Sequence, residues 1–141
     1  MKVTLRKVNK KDWNYILKLR NTKEFRRLFY TQHTISKKEH YQYLKRQSSN
    51  PNFANWIICY DSNDVGYLRV LDNDVGIIIE KKYHGKGIGS KALKLLEKEV
   101  KKLGIKKLVG KVMISNKSSE KIFLNNKYKL RMYWYEKNIR Y

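Results

Sequence analysis

The chain predicts a mixed α/β domain whose strands and helices follow the order β-α-α-β-β-β-α-β-α-β. Three observations carry that order. Apolar residues alternate in MKVTLRKV and gather in the short runs NWIICY, VGYLRVL and VGIIIE, the patterns of half-buried and buried strands. Ala92, Leu93, Leu96, Val100 and Leu103 instead keep helical spacing. Between the last of those strands and that helix stands YHGKGIGS, residues 83–90, with three glycines in five positions.

Taken in order, the first strand covers about residues 2–8. A helix over about 10–21 follows, with Trp13, Ile16 and Leu17 on one face and Arg20-Asn21 at its end. The segment 22–35 is irregular or helical, and rich in Arg, aromatic, Gln and His side chains. Ser36 and Glu39 form a capping box, the hydroxyl taking the third helical amide while the carboxylate reaches back, and they start a helix that runs to about 47. Ser48 to Asn52 is a breaker containing Pro51, the single proline. NWIICY and VGYLRVL, joined through Asp61-Ser62-Asn63-Asp64, make a hairpin, and Asp72-Asn73 turns into the strand VGIIIE. Gly104 is the C-cap of the helix after the glycine loop. KLVGKVMI is another strand, Asn116 caps a short helix carrying Ile122 and Phe123, and YKLRMYWYEKNIRY ends the chain as one strand or a tight pair.

At 141 residues the chain is expected to form one domain over 1–141, long enough to bury a core. No apolar run approaches the roughly 20 residues that span a bilayer, and no signal core opens the chain, so a cytoplasmic protein without a membrane partner is expected. Cys59 is the single cysteine, which excludes an internal disulfide; inside WIICY it reads as a small buried residue rather than a nucleophile. No metal site is expected. The net charge of +21 suits a phosphate-bearing partner, but lysines spread over solvated helix faces account for it equally well. No dense basic block stands apart from the helices, so nucleic acid is not the expected partner.

A strand, then glycines, then a helix start is an anion site: the backbone approaches closely, its N–H groups point inward and the helix dipole adds positive potential. Two phosphate-loop patterns fail here. The NTPase loop needs Gly-x-x-x-x-Gly-Lys-Ser/Thr, which is absent, and the dinucleotide fingerprint needs glycine at 90, where Ser90 stands. The stretch IIIEKKYHGKGIGSKALKLLEKEVKKLGIKKL closely resembles motif A of the GNAT superfamily of acetyl-CoA-dependent N-acetyltransferases, with Arg/Gln-x-x-Gly-x-Gly/Ala reading His84-Gly85-Lys86-Gly87-Ile88-Gly89. NKSSEKIFLNNKY resembles the Asn-x-x-(Ala/Ser)-x-x-x-Tyr-x-x-x-Gly-Phe segment that follows in the family.

The resemblance implies the GNAT fold, a mixed and mostly antiparallel central sheet flanked by helices, with a strand splayed at the acetyl-CoA site. It implies that Ile77, Ile78 and Ile79 offer backbone groups to the pantetheine arm. It implies further that His84, Gly85, Lys86, Gly87, Ile88, Gly89 and Ser90 cradle the CoA pyrophosphate, with Asn116 and Phe123 lying along the arm. Acetyl-CoA is then a co-substrate, and a primary amine attacks its thioester directly. LRNTKEFRRLFYTQHTISKKEHYQYL is similar to a second pattern, that of the GNAT branch acting on UDP-linked amino-dideoxy sugars in pseudaminic acid-type biosynthesis. That similarity implies a nucleotide-sugar acceptor contacted by Arg20, Tyr30, His33 and His40, arginine being suited to a diphosphate and rings to a base or sugar.

The chain departs from the family at its acid and base. Phe123 stands where a tyrosine usually protonates the CoA sulfur, Lys111 where a glutamate is often found, and Lys127-Tyr128 where the family has Gly-Phe. Glu80 and His33 are the named acid–base candidates, with His40 and Tyr128 beside them; Glu80 closes the splayed strand and His titrates near neutrality. The chain stops at Tyr141, with little room for the family's last two-strand hairpin. The acceptor site is then more open, or completed by a second subunit in a homodimer. Two alternatives stay open: a ribosomal-protein or peptide N-acetyltransferase, and a catalytically weak acyl-CoA-binding or nucleic-acid-associated module.

Overall fold

A computed structural model of the chain describes residues 2–28 and 33–141. A five-stranded sheet runs in the order β1 (Val3–Lys7), β2 (Phe53–Tyr60), β3 (Asn63–Leu71), β4 (Asp74–Ile79) and β5 (Val109–Gly110). The first four strands pair antiparallel, and β5 lies parallel to β4. Among the described residues five helices accompany it: α1 (Trp13–Arg20), α2 (Lys23–Leu28), α3 (Lys37–Gln47), α4 (Ile88–Lys102) and α5 (Lys117–Asn125). This is the mixed, mostly antiparallel architecture expected from the sequence.

The hairpin between β2 and β3 closes on Asp61 and Ser62, with φ of 47° and 72°. Two consecutive positive φ values give the two-residue turn whose twist matches that of the flanking strands. The sheet divides the core in two. Trp56, Ile58, Leu68, Val70, Val75 and Ile79 face α4, against Ile88, Leu93, Leu96 and Val100. Ile57, Cys59, Tyr67 and Ile78 face Ile16 and Leu19 of α1 and Phe25 of α2. Each aliphatic side chain removed from water there contributes roughly 1.5–3 kcal/mol. Cys59 is thus a buried packing residue with a free thiol.

Three expected elements differ. The helix expected over 10–21 begins as a 3-10 turn, Lys10–Asp12, and becomes α-helical at Trp13. Asn9 and Asp12 cap this turn reciprocally. Asp12 also takes both Arg6 guanidinium nitrogens, at 2.9 and 2.8 Å, and Arg6 extends to Asp64 at 2.9 Å. The Arg6 hydrogen bonds hold the Asp12 carboxyl below its ordinary range. The strand expected over KLVGKVMI pairs only at Val109 and Gly110, because beyond them β5 diverges from β4. Residues 128–141, expected as a strand or tight pair, form neither, since no strand lies beside them among the described residues. No helix among the described residues is long and apolar enough to cross a membrane.

Candidate active site

Parallel pairing of β4 and β5 stops after Asp74↔Val109 and Val75↔Gly110, leaving a gap beside the rest of β4. The phase of the β3–β4 ladder fixes what faces that gap. Glu80 N–H donates to the Val65 carbonyl at 2.9 Å, so the pairs Gly66↔Ile79 and Leu68↔Ile77 are the ones whose main-chain groups point away from each other. Ile77 and Ile79 therefore turn their N–H and C=O toward the gap. Their side chains pack on the α4 side, while Ile78 is buried on the α1 side. At the root of the gap the Phe123 ring covers Gly110, where a Cβ would lie 2.5 Å from the ring.

A short 3-10 turn, Lys81–Tyr83, then leads into the glycine loop. Gly85 and Gly87 both have φ of 78°, and a Cβ at either would meet nothing within 4 Å. Gly87 is the N-cap of α4, with no side-chain hydrogen bond to the first-turn amides and no acidic residue in that turn. Open backbone, unclaimed amides and the positive helix end together fit a pyrophosphate. Gly89 has a different reason. A Cβ there would lie 2.5 Å from Ile122 Cδ1 and 3.0 Å from Ile79 Cδ1, so its absence lets α5 and β4 close on α4. Ile88 is buried in that contact and Lys86 is exposed.

His84 Nε2 lies 2.8 Å from the Ile79 carbonyl; a carbonyl only accepts, so this nitrogen carries the proton and ties the loop to the strand. Asn116 caps α5, its Oδ1 accepting from Ser119 N–H at 3.1 Å. Asn126 is a brace that sequence reasoning missed: its Nδ2 donates at 3.0 Å to the Ser90 carbonyl and to Ser90 Oγ, tying the end of α5 to the start of α4. Tyr128 stacks edge-on against Phe123 at 4.8 Å, and burial pushes its phenol up to about 12.

Glu80 opens on the other side of β4. Tyr15 donates its hydroxyl to Glu80 Oε2 at 2.6 Å, and burial, followed by that carboxylate, raises the Tyr15 phenol well above its ordinary value. The pair lines a cavity of about 260 Å³ together with Lys18, Leu19, Thr22, Phe25, Lys81 and Lys82. Among the described residues, the charged groups that line it are Lys18, Lys81, Lys82 and Glu80. Sequence reasoning named Glu80 and missed Tyr15 and the lysines; Lys81-Lys82 directly follow Glu80, but Tyr15 is 65 residues away. A larger cavity of about 410 Å³ opens at the opposite end of the sheet, lined by Lys7, Trp13, Phe53 and Asn55 among others, and holds none of the expected site residues.

The expected acceptor contacts do not converge on the Glu80 cavity. His40 is fully buried between α1 and α3, its Nε2 at 2.8 Å from the Trp13 carbonyl, and burial lowers its pKa. It is a packing residue, out of reach of substrate, and that expectation is corrected. Arg20 lies over the Tyr43 ring at 5.8 Å, with its pKa lowered chiefly by burial. His33 is exposed at a bend and is not among the described residues lining the cavity. Tyr30 lies outside the described residues. Asn21 has a structural place, exchanging hydrogen bonds of 2.8 Å with the Ile35 N–H and C=O.

The acetyltransferase (GNAT) domain family model matches residues 2–129. The chain belongs to the GNAT family. A domain from Methanocaldococcus jannaschii superposes with a TM-score of 0.80 at 27% identity, covering 91% of this chain and 88% of that one. Spermidine N-acetyltransferase from Vibrio cholerae, solved with CoA and spermine, gives a TM-score of 0.75 at 17% identity over 86% of this chain and 78% of its own. YncA from Salmonella typhimurium, solved with its cofactor acetyl-CoA, gives 0.76 at 15% identity over 92% and 81%. Among the curated proteins no sequence matches the chain. The GNAT chain is an N-acetyltransferase that uses acetyl-CoA as co-substrate.

Proposed function

We propose that this GNAT enzyme acetylates a small primary amine bearing an anionic group, and that the acceptor is a nucleotide-linked amino sugar. The observation that carries the reading is the cavity beside β4, where the Tyr15–Glu80 pair sits within a rim of Lys18, Lys81 and Lys82. A net positive rim attracts a diphosphate and repels a polyamine such as the spermine bound by the Vibrio cholerae enzyme. A volume of about 260 Å³ suits the amino-sugar end, with the nucleotide running out over the lysines. The similarity of LRNTKEFRRLFYTQHTISKKEH to the sugar-nucleotide branch supports the same acceptor, although the grip on the diphosphate passes from Arg20 to the lysines and His40 drops out as a ring contact.

Acetyl-CoA, when bound, supplies the activated thioester. The glycine loop holds its pyrophosphate, with His84 and Asn126 keeping the loop and the α4 start in place. Ile77 and Ile79 present main-chain N–H groups to a developing oxyanion. Glu80 takes the proton that the acceptor ammonium must lose, and Tyr15 holds the carboxylate oriented; His33, exposed at a bend, remains the alternative base. Phe123 carries no proton, so the thiolate is protonated from solvent or from a neighbouring group.

Thiol release measured with a UDP-linked 4-amino-dideoxy sugar, spermidine and peptide N-termini tests the acceptor. Turnover of the UDP-amino sugar is expected; acetylation of spermidine or peptides without it overturns the acceptor while leaving the acetyltransferase intact. Glu80→Gln is expected to lower kcat by about 10²–10⁴-fold. An unchanged kcat removes Glu80 from the mechanism.

A further inference from the structure

Lys7↔Trp56 is the last pair of the β1–β2 ladder, and the chain then leaves β2 for the 3-10 turn Lys10–Asp12. β2 begins at Phe53, so among the described residues Phe53, Ala54 and Asn55 pair on the β3 side alone. The phase of the ladder fixes which groups face the uncovered side. Asp72 N–H donates to the Asn52 carbonyl at 2.8 Å, so Ala54 and Trp56 also turn their main chain toward β3, while Phe53 and Asn55 turn theirs away. The Phe53 N–H is taken by the Asn50 carbonyl at 3.1 Å. Along the open edge the Phe53 carbonyl and the Asn55 N–H then follow one another, an acceptor and a donor.

The cavity of about 410 Å³ at this end of the sheet lies against that edge, within the range of sites for small organic ligands. Gln47, at the end of α3, lines it and is only 9% exposed. Its Oε1 accepts from Asn50 Nδ2 at 2.9 Å, while its Nε2 donates to no group among the described residues. A buried donor without an acceptor is costly, and this one belongs to the cavity wall. Trp13 and Phe53 bring rings to the same wall. Lys7 and Lys10 hold their ammonium groups 5.6 and 5.9 Å from the centroids of Trp56 and Trp13; against them, Asp72 is the acid among the described lining residues.

We propose that this cavity is a second ligand site and that it takes a purine nucleoside monophosphate. A purine carries a donor and an acceptor on neighbouring atoms of one edge, the complement of the Phe53 carbonyl and the Asn55 N–H, and its remaining ring nitrogens accept from Gln47 Nε2. The rings of Trp13 and Phe53 suit a flat base, and Lys7 and Lys10 suit the phosphate. An extended peptide would need a longer run of open edge than three residues. The site lies at the opposite end of the strands from the acetyl-CoA gap, so its ligand takes no part in acetyl transfer. The inference is independent of the acceptor.

Adenosine and guanosine monophosphates are titrated into the full chain saturated with CoA, so that the glycine loop is already filled. Calorimetry is expected to show binding below millimolar concentration. In amide-resolved NMR the Asn55 N–H and the Gln47 side-chain amide are expected to shift, while Gly85, Gly87 and Glu80 keep their positions. Lys10→Glu, on an exposed turn, is expected to weaken binding about tenfold with Tm unchanged. Gln47→Glu keeps an acceptor for Asn50 but removes the donor, and is expected to weaken binding to a similar extent. Neither purine monophosphate binding at millimolar concentration overturns the proposal. So does binding that shifts the glycine loop or Glu80, Lys81 and Lys82 instead of Asn55, which assigns the ligand to the CoA or acceptor site. An affinity unchanged in Lys10→Glu and Gln47→Glu, or adenosine and guanosine binding as tightly as their monophosphates, overturns it as well.

Discussion

At the start of α3, Ser36 Oγ accepts the amide of Glu39 at 3.1 Å, and at the start of α5, Asn116 Oδ1 accepts the amide of Ser119 at 3.1 Å. At the start of α4 the corresponding residue is Gly87, in the left-handed region and with no side chain to offer. The first two helices satisfy their own exposed amides. The third leaves them open, at a cost in stability of roughly a few tenths of a kcal/mol relative to a good cap, since its N-cap is glycine. The difference teaches where an anion is expected: α4, which follows the splayed strand, has no side-chain cap, and its first-turn amides are the groups a pyrophosphate can claim.

Substitutions that exchange the two behaviours break the comparison. Gly87→Asp sets a negative charge beside the first-turn amides of α4, at a backbone φ of 78° that strains a side chain. Affinity for acetyl-CoA, measured by titration calorimetry, is expected to fall by about a hundredfold or more with the fold retained, since like charges at a contact cost several kcal/mol. Ser36→Ala takes the cap from α3, far from the glycine loop. It is expected to lower unfolding free energy by about 1 kcal/mol in urea titrations and leave the KM for acetyl-CoA unchanged.

His40, buried beneath the α1–α3 contact, sharpens the same contrast between self-contained and open elements. Burial holds its pKa below the ordinary 6.5, so the unfolded chain takes up the proton more readily. Stability is then full above about pH 6.5 and declines as the pH falls below it, by at most about 1.4 kcal/mol per pH unit. His40→Gln is expected to flatten that part of the curve. The helix C-termini supply the smallest effect. Just past α4 Gly104 has φ of 74°, whereas just past α5 Lys127 adopts φ of 69°, where a side chain is strained. Lys127→Gly is expected to stabilise the chain by about 0.5–1 kcal/mol, read as a rise in Tm.

Much of this contrast was legible in the sequence because it is local. The Ser36 cap, the Asn116 cap and the order of glycines in 84–90 each involve residues within four positions of one another, so spacing alone reveals them; the return half of the expected Ser36–Glu39 box is not among the hydrogen bonds of the described residues. The strand order was legible for the same reason, each run being bounded by its own turns. What escaped was long-range or needed a partner. Tyr15 and Glu80, or Asn126 and Ser90, meet only after the sheet has formed. KLVGKVMI and the last 13 residues have strand composition, but a strand is a relation between two segments, and the composition of one does not supply the other. The spacing that suggested His40 as a substrate contact carries no information about depth, and the packing of α3 on α1 decided its place.

The two-pair ladder between β4 and β5 works as a depth stop. From its last pair, Val75↔Gly110, to the end of β4 at Ile79 is four residues, about 13 Å of open strand. The Phe123 ring over Gly110 bolts the fork at that position, while His84 anchors the other end of the interval to the Ile79 carbonyl. The interval is a fixed length of open main chain bounded at both ends. Opening or closing the fork by a single pair would move its inner bound by about 3.3 Å, the rise of one strand residue.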